Sequence, residues 1–300
     1  MAGNPKGYRY LTAEAVSRLQ NLNLIARTVV DGFIAGLHRS PFHGFSVEFS
    51  DHREYSPGDN LRYIDWQAYA RSDRYYVKQF EEETNLRCHI LLDASASMAY
   101  GSGKVTKFEY GAYLAASLAY LMVRQRDTVG LVTFDSAIRF RIPPGATTAH
   151  LDRLLVELEN TRPSSRTGIA ATFHALAENI RKRGLIIVIS DLLDDERQIF
   201  RALRHFRHKK HEVIIFHVLD PAEISFPFQR TSDFLDFETG DKVQADPRYV
   251  REEYLREIGT FIENLRRGCA EGLIGYVTAD TSVPFELLLT SYLDKRKRLG

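Results

Sequence analysis

Oxygen-bearing side chains follow two of the apolar, strand-length runs of the sequence, where they could together bind a hard cation. The sequence Asp93-Ala94-Ser95-Ala96-Ser97 comes directly after the run Ile90–Leu92 and has the form Asp-x-Ser-x-Ser. The pair Ser190-Asp191 ends the run that starts at Leu185. Because open α/β sheets bind ligands at the carboxyl ends of their strands, we expect these side chains to meet at one edge of a sheet.

A third segment, Arg166-Thr167-Gly168, lies at the start of a helical pattern and adds another hydroxyl. Carboxylates and hydroxyls are hard ligands that suit Mg²⁺, Mn²⁺ or Ca²⁺ better than zinc or copper. The sequence therefore predicts a divalent cation, most simply Mg²⁺, bound by Asp93, Ser95, Ser97, Thr167 and Asp191. The alternative is that these side chains only cap the helices that follow them.

The elements that must position these residues alternate between strand and helix after Asn85. Apolar runs of strand length occur at Ile90–Leu92, Val129–Phe134, Leu185–Ser190 and Val213–Leu219. Helical patterns separate or follow them at Phe108–Arg124, Leu151–Glu159, Gly168–Arg183 and Glu196–Arg207. This alternation predicts a doubly wound, mainly parallel α/β sheet covered on both faces.

The remaining segments complete this α/β region. A hairpin and edge strand are predicted within 134–140, and another hairpin around Gly240 within Asp236–Val243. The predicted order after that hairpin is a helix at Tyr249–Arg267, a strand at Gly272–Val277 and a helix at Pro284–Lys297. We therefore predict one α/β domain over residues 86–300.

Residues 1–85 have a different texture and are predicted to form a separate N-terminal segment. Apolar residues at helical spacing predict a helix over 13–37. Short alternating pieces at 46–49 and 75–80 predict strands, with a turn at Pro57-Gly58 between them. The expected product is an N-terminal helix followed by a small β segment.

The stretch 51–71 in that segment is dense in ions and rings. Six of its residues are predicted to form either a structural network or a partner-binding group: Arg53, Asp59, Arg62, Asp65, Trp66 and Arg71. Paired arginines and aspartates with stacked rings favour the structural role, whereas arginine and tryptophan are common in protein interfaces. Both interpretations remain open at this point.

The charge balance and the length of the uncharged stretches limit the function classes. Forty basic and thirty-nine acidic residues leave a net charge of +1, which gives little support to nucleic-acid binding. The basic run 201–211 also has an apolar stripe, so we interpret it as the solvated face of a helix. The longest uncharged stretch, Gly111–Val123, is too short to cross a bilayer, so no membrane segment is expected. We expect a cytoplasmic protein with reduced cysteines.

Three sequence motifs of enzymes are each only partly matched by this sequence. Gly101-Ser102-Gly103-Lys104 is not a P-loop, because Met98 stands at the first glycine position and Val105 follows the lysine. The serines after Asp93 lie in no Gly-x-Ser-x-Gly sequence, and an aspartate-nucleophile phosphatase would need a second aspartate at position 95. We therefore expect no enzyme, with a metal-dependent hydrolase and a metal-free structural interaction domain as alternatives.

The residues of the predicted cation site resemble the metal-ion-dependent adhesion site of von Willebrand factor A domains. The resemblance extends from about Gly44 to Leu293 with the family called domain of unknown function 58, on the stretches 49–59, 62–66, 70–71 and 190–194. A departure is Gly168, where many relatives carry an acidic residue.

This resemblance implies a function for the site. In such domains the two serines and the threonine coordinate the ion, and the aspartates bind it directly or through water. A carboxylate from a partner protein completes the coordination. The resemblance also implies work as an adaptor with a MoxR-type AAA+ ATPase in assembling or activating a client protein.

Overall fold

The chain forms two compact units. In this computed structural model the described residues are 9–10, 47–56, 64–72, 74–82, 86–164, 168–237 and 240–299. One unit comprises residues 31–85, and the other combines residues 1–30 with residues 86–300. The helix predicted over 13–37 and the turn at Pro57-Gly58 lie outside the described residues. The division into domains 1–85 and 86–300 stays a prediction.

The smaller unit contains an antiparallel strand pair and a short helix. Strand β1 (Val47–Glu54) pairs with β2 (Tyr76–Glu82), and a bulge interrupts the pairing between Phe49 and Asp51. Helix α1 (Trp66–Ser72) lies between these strands in sequence. The two strands fall on the alternating pieces that the sequence predicts.

The larger unit is built on a six-stranded sheet that confirms the predicted fold class. Its strands are β3 (Arg87–Asp93), β4 (Thr128–Phe134), β5 (Ile138–Gly145), β6 (Leu185–Ser190), β7 (Glu212–Leu219) and β10 (Gly275–Asp280). The strand order is β5-β4-β3-β6-β7-β10, and only β5, at one edge, runs antiparallel to its neighbour. This is the doubly wound order, in which the chain winds outwards in both directions from the centre of the sheet.

The helices of this unit cover both faces of the sheet. Their bounds are α2 (Lys107–Arg124), α3 (Thr148–Asn160), α4 (Ile169–Asn179), α5 (Glu196–His208), α6 (Pro221–Ser225), α7 (Pro247–Glu271) and α8 (Phe285–Leu299). A short hairpin, β8 (Ser232–Leu235) and β9 (Lys242–Ala245), precedes α7. Among these described residues, none of the helices has both the length and the apolar composition that a bilayer requires.

Alternate residues of the central strands explain why both faces need a helical cover. Leu91 of β3 and Val188 of β6 belong to a core with Phe173 of α4 and Phe206 of α5. The next residues, Leu92 and Ile189, lie on the opposite face, where they approach Gly111 of α2. The uncharged run in α2 is therefore a buried helix whose small residues allow close packing on the sheet.

Several element boundaries differ from the predicted ones. Helix α7 continues to Glu271, and Gly272 is its C-terminal cap, so the last strand begins at Gly275 and not at Gly272. Helix α4 ends at Asn179, short of the predicted Arg183. In both places the residues beside the boundary fit the pattern of more than one element, so the sequence does not mark where the helix ends.

Gly130 tests the packing between β4 and the edge strand. A Cβ atom at this position would lie 2.7 Å from the carbonyl oxygen of Ile142, next to an irregularity in the pairing of the strands. Gly130→Ala should lower the free energy of unfolding by about 1–3 kcal/mol, because the backbone of β5 must move. Urea denaturation measures the change.

The matched control is Gly103→Ala, because nothing lies within 4 Å of a Cβ atom at that exposed position. Its unfolding free energy should stay within about 0.5 kcal/mol of the wild type. Equal midpoints for the two variants would contradict the close approach at Gly130.

Candidate functional site

The candidate site lies where the two winding directions of the sheet diverge. Strands β3 and β6 are neighbours, yet β3 leads to β4 on one side and β6 leads to β7 on the other. A crevice at the carboxyl ends of two such strands is the usual ligand position in this architecture. Asp93 ends β3 and Ser190 ends β6, so the predicted site residues border that crevice.

Asp93 ties the two strand ends together. Its carboxylate accepts a hydrogen bond from the backbone N–H of Ser95 at 2.8 Å and another from the hydroxyl of Ser190 at 2.6 Å. The Ser190 hydroxyl in turn accepts a bond from the N–H of Leu192 at 2.9 Å. Asp93 is fully buried. Burial, together with the nearby charge of Asp191, raises its pKa to about 7.

The hydroxyls of Ser95 and Ser97 form a pair of oxygen donors beside this carboxylate. Their Oγ atoms lie 3.1 Å apart, and both residues are buried. Adjacent ligands of an octahedral Mg²⁺ ion, at about 2.1 Å from the metal, are separated by about 3.0 Å. The spacing of the two hydroxyls and the hardness of their oxygens therefore fit such an ion.

The loop after β6 places Asp191 against a buried lysine that the sequence pattern does not indicate. Lys107, the first residue of α2, is 0% exposed and donates from Nζ to Asp191 Oδ2 at 2.8 Å and to Glu223 Oε1 at 2.6 Å. Burial acts to lower the pKa of Lys107, but the charges of Asp191 and Glu223 outweigh it and raise that pKa. The ammonium is therefore charged and holds the loop after β6 to the start of α2.

Among the described residues at this edge of the sheet, the acidic side chains Asp93, Asp191 and Glu223 outnumber the basic side chain Lys107. The ammonium of Lys107 contacts the carboxylates of Asp191 and Glu223, and the carboxylate of Asp93 lies near that of Asp191. Burial raises the pKa of Glu223 as well. Because excess buried negative charge is costly, a cation beside Asp93 would lower the free energy of the folded state. The charge balance thus agrees with the fit of the hydroxyl pair.

His217 of β7 fixes the backbone of the loop after β6. Burial lowers its pKa to about 4, so the imidazole is neutral. Its Nε2–H donates to the carbonyl oxygen of Asp191 at 2.9 Å, and its Nδ1 accepts from the hydroxyl of Tyr276 at 2.6 Å. Both ring nitrogens are therefore used to position Asp191.

The fourth predicted ligand, Thr167, lies outside the described residues, but the residues that flank its loop are anchored. The backbone N–H of Ser164 donates to the carbonyl oxygen of Ala94 at 2.9 Å, and the backbone N–H of Ile169 donates to the carboxylate of Asp194 at 3.0 Å. At Gly168 a Cβ atom would lie 2.8 Å from the Cα atom of Ser136. This close approach accounts for the glycine at position 168.

Of the six residues predicted within 51–71 to form a network or a partner-binding group, one described member is buried and another is exposed. Asp65 is buried, and its carboxylate accepts from the N–H of Ala68 at 3.1 Å, so it has a structural role at the start of α1. Trp66 is 61% exposed and packs edge to face against Tyr69. Asp59 and Arg62 lie outside the described residues, as do the side chains of Arg53 and Arg71. Trp66 is thus available for contact with a partner.

Lys107, Glu223 and His217 carried no clear signal in the sequence. Lysine and glutamate are almost always exposed, so their spacing predicts a solvated surface. The capping boxes Thr106 to Glu109 and Asp220 to Glu223 do mark helix starts, and they could have identified the two short loops that enclose the site. Among the described residues, no group of three or more histidine, cysteine, aspartate and glutamate side chains is arranged to hold a metal ion.

Comparison with protein families gives one match across most of the chain. The sequence model of the family described as "Protein of unknown function DUF58" matches residues 51–260. An uncharacterised protein of Mycobacterium tuberculosis is 27% identical over 269 residues, which cover 87% of this chain and 84% of that protein. An uncharacterised protein of Mycobacterium bovis matches with the same identity and coverage.

Solved structures with a similar backbone are more distant. The conserved hypothetical protein BatB from Bacteroides thetaiotaomicron is 19% identical with a TM-score of 0.49, covering 71% of this chain and 99% of that chain. The VWA domain of SpRpn10 is 13% identical with a TM-score of 0.38, covering 71% of this chain and 95% of that chain. The fold assignment made above depends on the strand order of the sheet itself.

Replacing Lys107 tests whether the buried ion group holds the site together. Lys107→Met should lower the free energy of unfolding by about 3–5 kcal/mol, because Asp191 and Glu223 lose their shared counter-ion inside the protein. Chemical denaturation followed by circular dichroism measures the loss.

The exposed Lys104, three residues earlier, provides the matched control Lys104→Met. This variant should unfold within about 0.5 kcal/mol of the wild type. Adding Glu223→Gln to Lys107→Met should restore part of the stability, since one unpaired charge is removed. A Lys107→Met variant as stable as Lys104→Met would be incompatible with the ion group described here.

Proposed function

The chain belongs to the DUF58 family, and on that premise we propose that it is a metal-dependent protein-interaction module. The observation that carries the proposal is the buried hydroxyl pair of Ser95 and Ser97 beside the carboxylate of Asp93. This group combines hard donors, suitable spacing and excess negative charge at the crevice where α/β sheets bind ligands.

Each residue has a distinct part in this proposal. Ser95, Ser97 and Thr167 would hold the cation, most simply Mg²⁺, while Asp93 orients Ser95 and Asp191 supplies a second carboxylate at the crevice. Lys107 and His217 fix Asp191 from its side chain and its backbone. When bound, the ion supplies a positive centre that a carboxylate of a partner protein can reach.

An interaction role is favoured over the alternative of a metal-dependent hydrolase. A hydrolase needs a base within hydrogen-bond reach of the attacking group. His217, which contacts this loop, is a weak base because burial lowers its pKa to about 4, and both of its ring nitrogens are occupied by hydrogen bonds. The proposal is therefore binding without catalysis.

The proposed partner is a MoxR-type AAA+ ATPase, as the family resemblance implies. In this scheme the ATPase supplies the energy for remodelling, and the present chain recognises a client protein in the cytoplasm. Trp66, which is exposed in the smaller unit, is the candidate for a second contact that does not involve the metal.

Metal binding can be measured directly by calorimetric titration with Mg²⁺ and Mn²⁺. We expect one ion per chain and a higher melting temperature in its presence, because the ion binds only the folded protein. Ser97→Ala should weaken binding by at least about 10- to 100-fold through the loss of one oxygen donor. Asp93→Ala should abolish it.

Ser291→Ala, at an exposed position of α8, removes a hydroxyl without touching the site and should bind metal like the wild type. If neither ion gives binding heat or thermal stabilisation in any of these proteins, the metal is absent from the function. The metal-free structural interaction domain would then be the better description.

Partner binding can be tested by co-purification with a MoxR-type AAA+ ATPase from the same cell. The ATPase should be recovered with the wild type and with Ser291→Ala in Mg²⁺ buffer, and it should be lost with Ser97→Ala or in EDTA. Equal recovery in EDTA would remove the metal from the mechanism.

The same complex reports on the smaller unit, because Trp66 is the one tryptophan of the chain. Its fluorescence should be quenched by acrylamide in the free protein and protected once the ATPase is bound. Unchanged quenching in a complex that forms would assign residues 51–71 to the structural role alone.

A further inference from the structure

A groove of about 590 Å³ opens directly beside the candidate metal site. Ser97 and Lys107 are among its lining residues, so the groove and the site share a wall. Residues of α6, α7 and the β8–β9 hairpin line it as well. Its volume lies within the range of about 300–1,000 Å³ that is typical of ligand pockets. The size suits a short segment of a partner chain.

The wall of the groove is built from aromatic rings that already pack on one another. Phe226 lies 5.1 Å from Phe228, 5.6 Å from Phe234 and 4.6 Å from Tyr254, measured between ring centroids. Phe228 and Phe234 also meet edge to face at 5.3 Å. Because the rings brace each other, the groove keeps its shape without a ligand, and their faces are rich in π-electron density.

The charged residues of the groove are mostly acidic. Glu223, Asp233 and Asp236 line it, and Lys107 is the cation among the described lining residues. That ammonium is buried and bound to Glu223 and Asp191, so it presents little positive charge to the groove. Asp233 and Asp236 are exposed on the hairpin at the groove. The groove thus combines aromatic faces with negative charge.

An arginine side chain has the properties that match this combination. Its planar guanidinium stacks on aromatic faces and pairs with carboxylates, while its aliphatic stem covers apolar surface. A carboxylate would be repelled by Asp233 and Asp236. A purely apolar side chain would gain contact with the rings but would desolvate the two negative charges without supplying a positive one.

We infer that this aromatic groove binds an arginine-bearing segment of the partner protein. The inference rests on the proposed function as a protein-interaction module, but it needs no metal ion. Since the groove adjoins Ser97, a carboxylate and an arginine close together on one partner segment could reach both places.

NMR titration with short peptides tests the inference. The probes are heptapeptides that differ only at the central residue, which is arginine, phenylalanine or glutamate, added to the full-length ¹⁵N-labelled protein. The arginine peptide should bind at least tenfold more tightly than either of the others and should shift the amide signals of Phe228 and Phe234. Asp233→Asn combined with Asp236→Asn should weaken its binding about tenfold.

The control for the loss of charge is Glu252→Gln, an exposed acidic position of α7 that does not line the groove. It should bind the arginine peptide like the wild type. Tighter binding of the phenylalanine peptide, or equal arginine binding by the double aspartate variant, would overturn the inference.

Titrations in Mg²⁺ and in EDTA separate this inference from the proposed function. The arginine peptide should bind equally in both buffers. If it does not bind while calorimetry detects the metal, the inference about the groove fails alone. If it binds while no metal is detected, the metal-dependent function fails and the groove stands.

Discussion

The pairing of the Lys107 ammonium with Asp191 and Glu223 is the interaction on which the carboxyl edge of the sheet depends. A buried charge is tolerated only with partners, so Lys107 fixes the start of α2, the loop after β6 and helix α6 relative to one another. All three segments contribute residues to the lining of the aromatic groove, which adjoins the candidate site. Both proposed binding places therefore depend on a single ion group.

The architecture was predictable because its strands are buried on both faces. A parallel sheet with two helical layers makes each central strand a continuous apolar run, and such runs are visible in sequence. The ends of the helices and strands were harder to predict. Gly272 continues the segment that leads to the last strand, but its backbone caps α7, and that capping depends on where α7 ends in three dimensions.

The part of the candidate site that follows the strands was predictable from the sequence, whereas the residues that support it were not. Asp93, Ser95, Ser97 and Asp191 each follow a strand, so the topology of the sheet alone brings them together. The lysine and the histidine that hold Asp191 come from α2 and β7, more than twenty residues away in the chain. Their burial is decided by tertiary packing, which single-residue preferences do not encode.

A cation and a carboxylate alone cannot select a partner. Every protein surface carries aspartates and glutamates, so coordination contributes affinity that is nearly the same for many candidates. Discrimination requires a neighbouring surface that accepts the right chain and penalises the wrong one. The aromatic groove has both properties, because its rings attract a planar cation and its aspartates repel acidic segments. Since the β8–β9 hairpin carries Asp233, Phe234 and Asp236, changes in this hairpin should alter the proposed partner choice while leaving the proposed metal site intact.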